Sequence, residues 1–205
     1  MSRVFEIYGD QFPVLFGTAL VLYALDFIFD LLLPGAIGLV LVVVFWALSI
    51  LYQGIVVELV QDVQDGRRDH SVIQLLRSVE PVFWPLVAVS ILFGIAVAIG
   101  FVLLIIPGLI LIVIWSVVAP VTVLERPGVF AAFRRSRELV RGNGWNVFGV
   151  IVMVFVIVAL ISIAAEITAS GLGSVGRGLV QWGVNAAIAP ITALSASVLY
   201  FALRT

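Results

Sequence analysis

The sequence predicts an all-α, polytopic helical membrane bundle of about six transmembrane helices with two interfacial amphipathic helices. Three observations carry that expectation. The first is composition: 63% of the 205 residues are hydrophobic and 11% are charged, and the mean hydropathy is +1.26. Soluble domains average roughly 45–50% apolar and about 25% charged residues, so this chain lacks the polar material to coat a globule in water. The second is a series of charge-free segments, residues 81–124, 145–165, 167–176 and 178–203. Burying so much apolar surface in a chain of this size calls for lipid as the solvent. The third is a one-sided distribution of arginine around the spans that those segments define.

A helix needs about 20 residues to cross a hydrocarbon layer ~30 Å thick. The first span is expected at 12–33, and Pro34-Gly35 punctuates the chain after it, since proline cannot continue a hydrogen-bonded helix and glycine permits a turn. The second span is expected at 36–59, the third at 83–106 with a second Pro-Gly turn at Pro107-Gly108, and the fourth at 109–124, short and carrying Pro120. The fifth and sixth fall near 145–167 and 179–203, joined by the glycine-rich stretch 170–177. The whole chain, 1–205, reads as a single integral membrane domain of hairpins at about 12–59, 83–124 and 145–203. The N-terminal stretch, with Asp26 and Asp30 inside it, reads as a retained span, because a cleaved signal would have a shorter core and a small-residue cleavage site.

Loops rich in arginine stay on the cytoplasmic side. With six spans, ten of the eleven basic residues, all arginines, fall on one side and only Arg177 on the other. The expectation is a multi-pass protein of the cell membrane with both termini cytoplasmic. Moving one boundary would scatter the arginines over both faces, which supports the even count.

Two loops on that side, about 69–80 and 128–142, share a pattern. Val72, Leu76 and Val79 face away from Gln74, Arg77 and Ser78 on a helix, and Val129, Phe133 and Val140 face away from Arg134, Arg135, Glu138 and Arg141, with Arg137 on the border. Ser71 and Gln74 are spaced as a capping box. Both segments are expected as amphipathic helices on the inner leaflet. A hairpin turning at Pro-Gly and leading into such a helix recurs 73 residues on, from Pro34 to Pro107, an internal repeat of the kind seen in transporters.

Several chemistries lack their residues. There is no cysteine and one histidine, His70, which leaves no disulfide, thiolate site or imidazole cluster. No nucleophile and base stand paired inside the spans, so no catalytic residue, cofactor site or metal site is expected. A net charge of −1 and arginines without aromatic platforms argue against a nucleic-acid partner. The expected partners are membrane lipids, with a second copy of the chain or another membrane protein as further candidates.

One stretch resembles a known family. Ile106-Pro107-Gly108, a span with Trp115, Glu125, and then Ala131-Ala132-Phe133-Arg134-Arg135-Ser136, Leu139-Val140 and Gly142 through Trp145 form a series. It resembles the membrane domain that precedes the catalytic barrel in some bacterial glycerophosphodiester phosphodiesterases, and is similar to stand-alone six-span prokaryotic membrane proteins of unknown function. The resemblance implies the membrane module alone, because the metal-ligand set of the barrel has no counterpart here.

The candidate functional residues each carry two readings. Asp26 and Asp30, four apart on one face of the first span, form either a cation or proton site facing the bundle interior or a pair near the outer interface. A carboxylate in hydrocarbon costs roughly 2.5–3.5 kcal/mol, which is why intramembrane acids attract attention. Glu166 ends the fifth span on the same side, where it joins that cluster or pairs with Arg177. Gln181 and Asn185, also four apart, read as hydrogen-bonding glue between helices. Arg134, Arg135, Arg137 and Arg141 either grip lipid phosphates, which guanidinium binds bidentately, or only fix topology. Gly94 with Ala98, Ala96 with Gly100, and Ala189, Ala193 and Ser197 mark close helix packing. Trp84, Trp145 and Trp182 read as interfacial anchors, and Pro120 and Pro190 as kinks.

Overall fold

The computed structural model describes residues 17, 19, 20, 23, 36–64 and 80–204. In hydrocarbon every backbone N–H and C=O must find a partner within the chain, and for a single segment only a helix provides one. The described elements are accordingly helical: α1 (Ala36–Gln64), a 3-10 turn (Glu80–Val82), α2 (Phe83–Leu103), α3 (Ile105–Ile114), α4 (Val118–Leu124), α5 (Val129–Val140), α6 (Gly144–Ala169) and α7 (Ser174–Arg204). Among the described residues, Phe83–Leu103, Ile105–Leu124, Gly144–Ala169 and Val175–Arg204 are long and apolar enough to cross a membrane. The protein is an all-α membrane bundle. α1 stands where the second span is expected. Of the expected first span only residues 17, 19, 20 and 23 are described, all helical. Of the first surface helix only Glu80 is described.

The core gathers toward the end of the bundle where α5 lies. Val56, Val57 and Val60 of α1 pack with Ala186, Ala193 and Leu194 of α7, with Leu86 and Val123 alongside. A second cluster joins Val89, Val117, Val121, Ala132, Val147 and Tyr200. α7 buries Ala186, Pro190, Ala193, Ser197 and Tyr200, a helical stripe at intervals of three and four that is narrow in the middle and broad at Tyr200. The helix runs unbroken through Pro190. On α6, Phe155, Leu160, Ile163 and Ile167 remain exposed, as side chains that face lipid do.

The turn between the third and fourth spans is not at Pro107-Gly108. The chain reverses at one extended residue, Leu104 (φ −165°, ψ 151°), whose N–H bonds the Gly100 carbonyl at 3.0 Å. Pro107 and Gly108 lie inside the first turn of α3. Proline is tolerated there because first-turn N–H groups have no helical partner to lose. Gly108 serves the crossing of the two helices: a Cβ on Gly100 would lie 2.9 Å from the Gly108 Cα, and one on Gly108 would lie 2.7 Å from the Phe101 ring. Of the small-residue pairs expected on this helix, Gly100 is buried in the crossing, whereas Gly94 and Ala98 are exposed.

Pro120 breaks the fourth span, as its position predicts. Its ring has no N–H for the residue 116 carbonyl and collides with it, so α3 stops at Ile114 and α4 starts at Val118. The Val118 N–H turns to the Trp115 carbonyl at 3.1 Å. That leaves the Ile114 carbonyl to the hydroxyl of fully buried Ser136, which donates to it at 3.0 Å. Replacing Ser136 by Ala removes this bond from a half-buried carbonyl, and the loss of one such hydrogen bond costs about 0.5–1.5 kcal/mol. A thermal melt in mild detergent reads the loss; an unchanged midpoint would mean that another group caps the carbonyl.

Candidate functional site

α5 is the expected second surface helix, but its apolar face meets the bundle and not the leaflet. Ala132, Ser136 and Val140 are buried, and Val129, Phe133 and Leu139 pack beside them against α2, α3, α4 and α7. Trp115, in the α3–α4 break, stands edge-on to Phe133 with ring centroids 4.8 Å apart.

Polar ties hold the helix in place. Arg126 adopts φ 49°, in the left-handed region. Its side chain donates to the Val123 carbonyl at 3.3 Å and reaches Glu58 of α1 at 3.5 Å. Glu125 is the hub. One carboxylate oxygen accepts the Arg135 Nε–H at 2.9 Å, and the other accepts the hydroxyl of fully buried Tyr200 at 2.9 Å. The bond from Glu125, reinforced by its charge and that of Glu138, raises the Arg135 pKa further above its ordinary value. A single carboxylate thus joins the end of α4 to α5 and α7.

Arg135 is consumed by this hub, half-buried and turned toward Glu125. Arg134, Arg137 and Arg141 are exposed, and among the described residues none lies in an ion pair. The three, with Glu138, line an open cleft of about 570 Å³. Three guanidinium groups against one carboxylate leave this lining net positive, which suits an oxyanion such as phosphate. Glu138 is already engaged by Arg135 at 3.7 Å. Among the described residues no group of three His, Cys, Asp or Glu stands close enough to hold a metal.

The other candidates lie elsewhere. Asp26 and Asp30 fall outside the described residues. Glu166 and Arg177 pair at 3.7 Å at the opposite end of the bundle, both more than half exposed, where such pairs are worth about 0–1 kcal/mol. Among the described residues Gln181 and Asn185 do not bridge helices: the Gln181 amide donates to the Asn185 side chain at 3.2 Å within α7. Trp84 and Trp145 are exposed at the starts of α2 and α6, but the Trp182 ring N–H is buried without a partner among the described residues. Sequence reasoning did not assign Glu125, Tyr200, Glu58 or Ser136 to a site. One signal was available for the hub: Glu125 is the charge that closes the long charge-free run from residue 81.

No protein-family model matches the chain, and no solved structure matches it. It is similar to a UPF0259 membrane protein of Pectobacterium carotovorum, with 32% identity over 95 residues. The match covers 46% of this chain and 38% of that protein, so the chain spans well under half the length of this relative. The similarity supports the membrane assignment and the resemblance to stand-alone membrane proteins; it does not bear on the phosphodiesterase membrane domains.

Proposed function

We propose that this protein is a non-enzymatic, multi-pass module of the cell membrane that organises anionic lipid at the end of the bundle covered by α5. That end faces the cytoplasm in this reading, with both chain termini inside. The observation that carries it is the division of labour on α5. Arg135 holds the helix to the bundle, while Arg134, Arg137 and Arg141 stand exposed and unneutralised. A basic residue at an anionic leaflet gains about 1 kcal/mol, so three together favour anionic over neutral lipid by about a hundredfold. The alternative, a small transporter or channel using Asp26, Asp30 and Glu166, draws on two residues outside those described and on one exposed ion pair.

The test leaves the hub intact. Replacing Arg134, Arg137 and Arg141 by Gln, with Arg135 retained, is expected to remove most of the preference for anionic lipid among the lipids co-purifying in mild detergent. The preference of the unaltered protein should weaken as salt screens exposed charge. Equal retention of anionic lipid by the triple variant would refute the reading.

A further inference from the structure

We infer that the arginine cleft is the headgroup half of a binding groove for one anionic glycerophospholipid, whose acyl chain lies between α3 and α6; this rests on the lipid-organising reading above. A second cleft, of about 490 Å³, begins where the first ends. Its walls are Ile106, Leu109, Ile110 and Val113 of α3 with Trp145 and Phe148 of α6. No charged side chain lines it. Ile114, Gly142 and Gly144 border both clefts. At Gly142 and Gly144 nothing beyond the chain neighbours and the helix's own backbone lies within 4 Å of where a Cβ would stand, so the two clefts meet over a stretch that carries two residues without side chains. A groove that is cationic at one end and apolar along about 12 Å of α3 (Ile106 to Ile114, at 1.5 Å per residue) has the charge pattern of a phospholipid.

The orientation fits as well. The arginines lie on the helix between the apolar segments Ile105–Leu124 and Gly144–Ala169, and the apolar walls continue from their cleft along exposed Ile106 and Ile110. A free phosphate would use the first cleft and leave the second unexplained. Lipid tails are as apolar as leucine, so the tail cleft adds little preference for protein over bilayer. It fixes position and stoichiometry, and the arginines supply selectivity. Glu138 at the rim suits a headgroup that carries hydroxyl donors beyond its phosphate, as a phosphatidylglycerol does.

Gly144 provides the test, because it opens α6 without a positive φ and faces open space. Gly144→Leu fills the junction of the two clefts and improves local helix propensity, so the fold is retained. The full chain is reconstituted in vesicles of equal phosphatidylglycerol and phosphatidylcholine, extracted in mild detergent and weighed by native mass spectrometry, with soluble glycerol phosphate as a separate probe. The expected result is one phosphatidylglycerol per chain, reduced at least about tenfold in Gly144→Leu and in Ile110→Trp at an unchanged thermal midpoint. If both variants keep that lipid while the triple arginine variant loses it, the groove is refuted and the general lipid reading survives. If the triple variant also keeps it, both fail. Equal capture of soluble glycerol phosphate and lipid would likewise overturn the groove, leaving a phosphate site.

Discussion

Gly100→Val is expected to destabilise the bundle more than any other single substitution considered. Its first added carbon would lie 2.9 Å from the Gly108 Cα, 3.0 Å from the Gly108 nitrogen and 3.1 Å from the Leu111 Cδ1. Two of those neighbours are backbone, which cannot rotate away, so α2 and α3 must separate at their crossing. Overpacking costs typically 1–3 kcal/mol and sometimes more, and the rigid neighbours place this case at the upper end, about 3 kcal/mol. For a chain of this size each kcal/mol is worth about 2–4 °C, so the thermal midpoint in detergent should fall by roughly 6–12 °C. Gly108→Ala is the milder comparison. It meets the Phe101 ring, a side chain 40% exposed and able to turn aside. The order of the two variants is the check; a larger loss for Gly108→Ala would place the rigid contact elsewhere.

The second large effect belongs to Glu125. Glu125→Ala removes the partner of two groups that differ in their access to water. Arg135 is partly exposed and can be rehydrated, whereas the Tyr200 hydroxyl is fully buried and cannot. Hydrogen bonds to charged groups are worth about 1.5–3 kcal/mol and a buried unpaired polar group costs about 1–3, so the net loss should be about 2–3 kcal/mol. Tyr200→Phe alone should cost nearer 1 kcal/mol, because the carboxylate keeps Arg135 and solvent. In the double variant no hydroxyl is stranded, so the combined loss should fall short of the sum by about 1 kcal/mol. Strict additivity in chemical or thermal unfolding would mean that the two residues do not interact.

Much of the architecture was legible because lipid imposes simple constraints. The apolar runs lie where spans form, and α5 (Val129–Val140) falls inside the expected surface helix at 128–142. The break at Pro120 followed from a missing N–H. The Pro-Gly turn failed for an instructive reason: in water the dipeptide marks a turn, but within a tight membrane hairpin the same two residues fit a helix start and a close crossing. Helix spacing placed Gln181 and Asn185 on one face and suggested bonds to another helix, whereas the Gln181 amide bonds Asn185 of its own helix. At the site, periodicity identified the polar face of α5 and could not separate Arg135 from its neighbours. What distinguishes Arg135 is a carboxylate ten residues earlier that also holds a tyrosine 75 residues later. Such ties exist only once the chain is folded, and local patterns carry no trace of them.

The one-residue reversal at Leu104 bears on how the chain enters the bilayer. The segment from residue 81 to 124 carries no charge, and its tip, from Phe101 to Ile106, is wholly apolar and exposed. Carrying polar material across hydrocarbon is the costly step of biogenesis, at roughly 2.5–3.5 kcal/mol for each charge at the membrane centre. The α2–α3 hairpin has none to carry, so both of its limbs can partition from the entry side together, as one wedge. With α5 on the entry side, as proposed above, the α6–α7 hairpin has to bring Glu166 and Arg177 across, and these meet as an ion pair. Of the two hairpins, only the second should slow when the machinery or the membrane potential that moves charge is withdrawn.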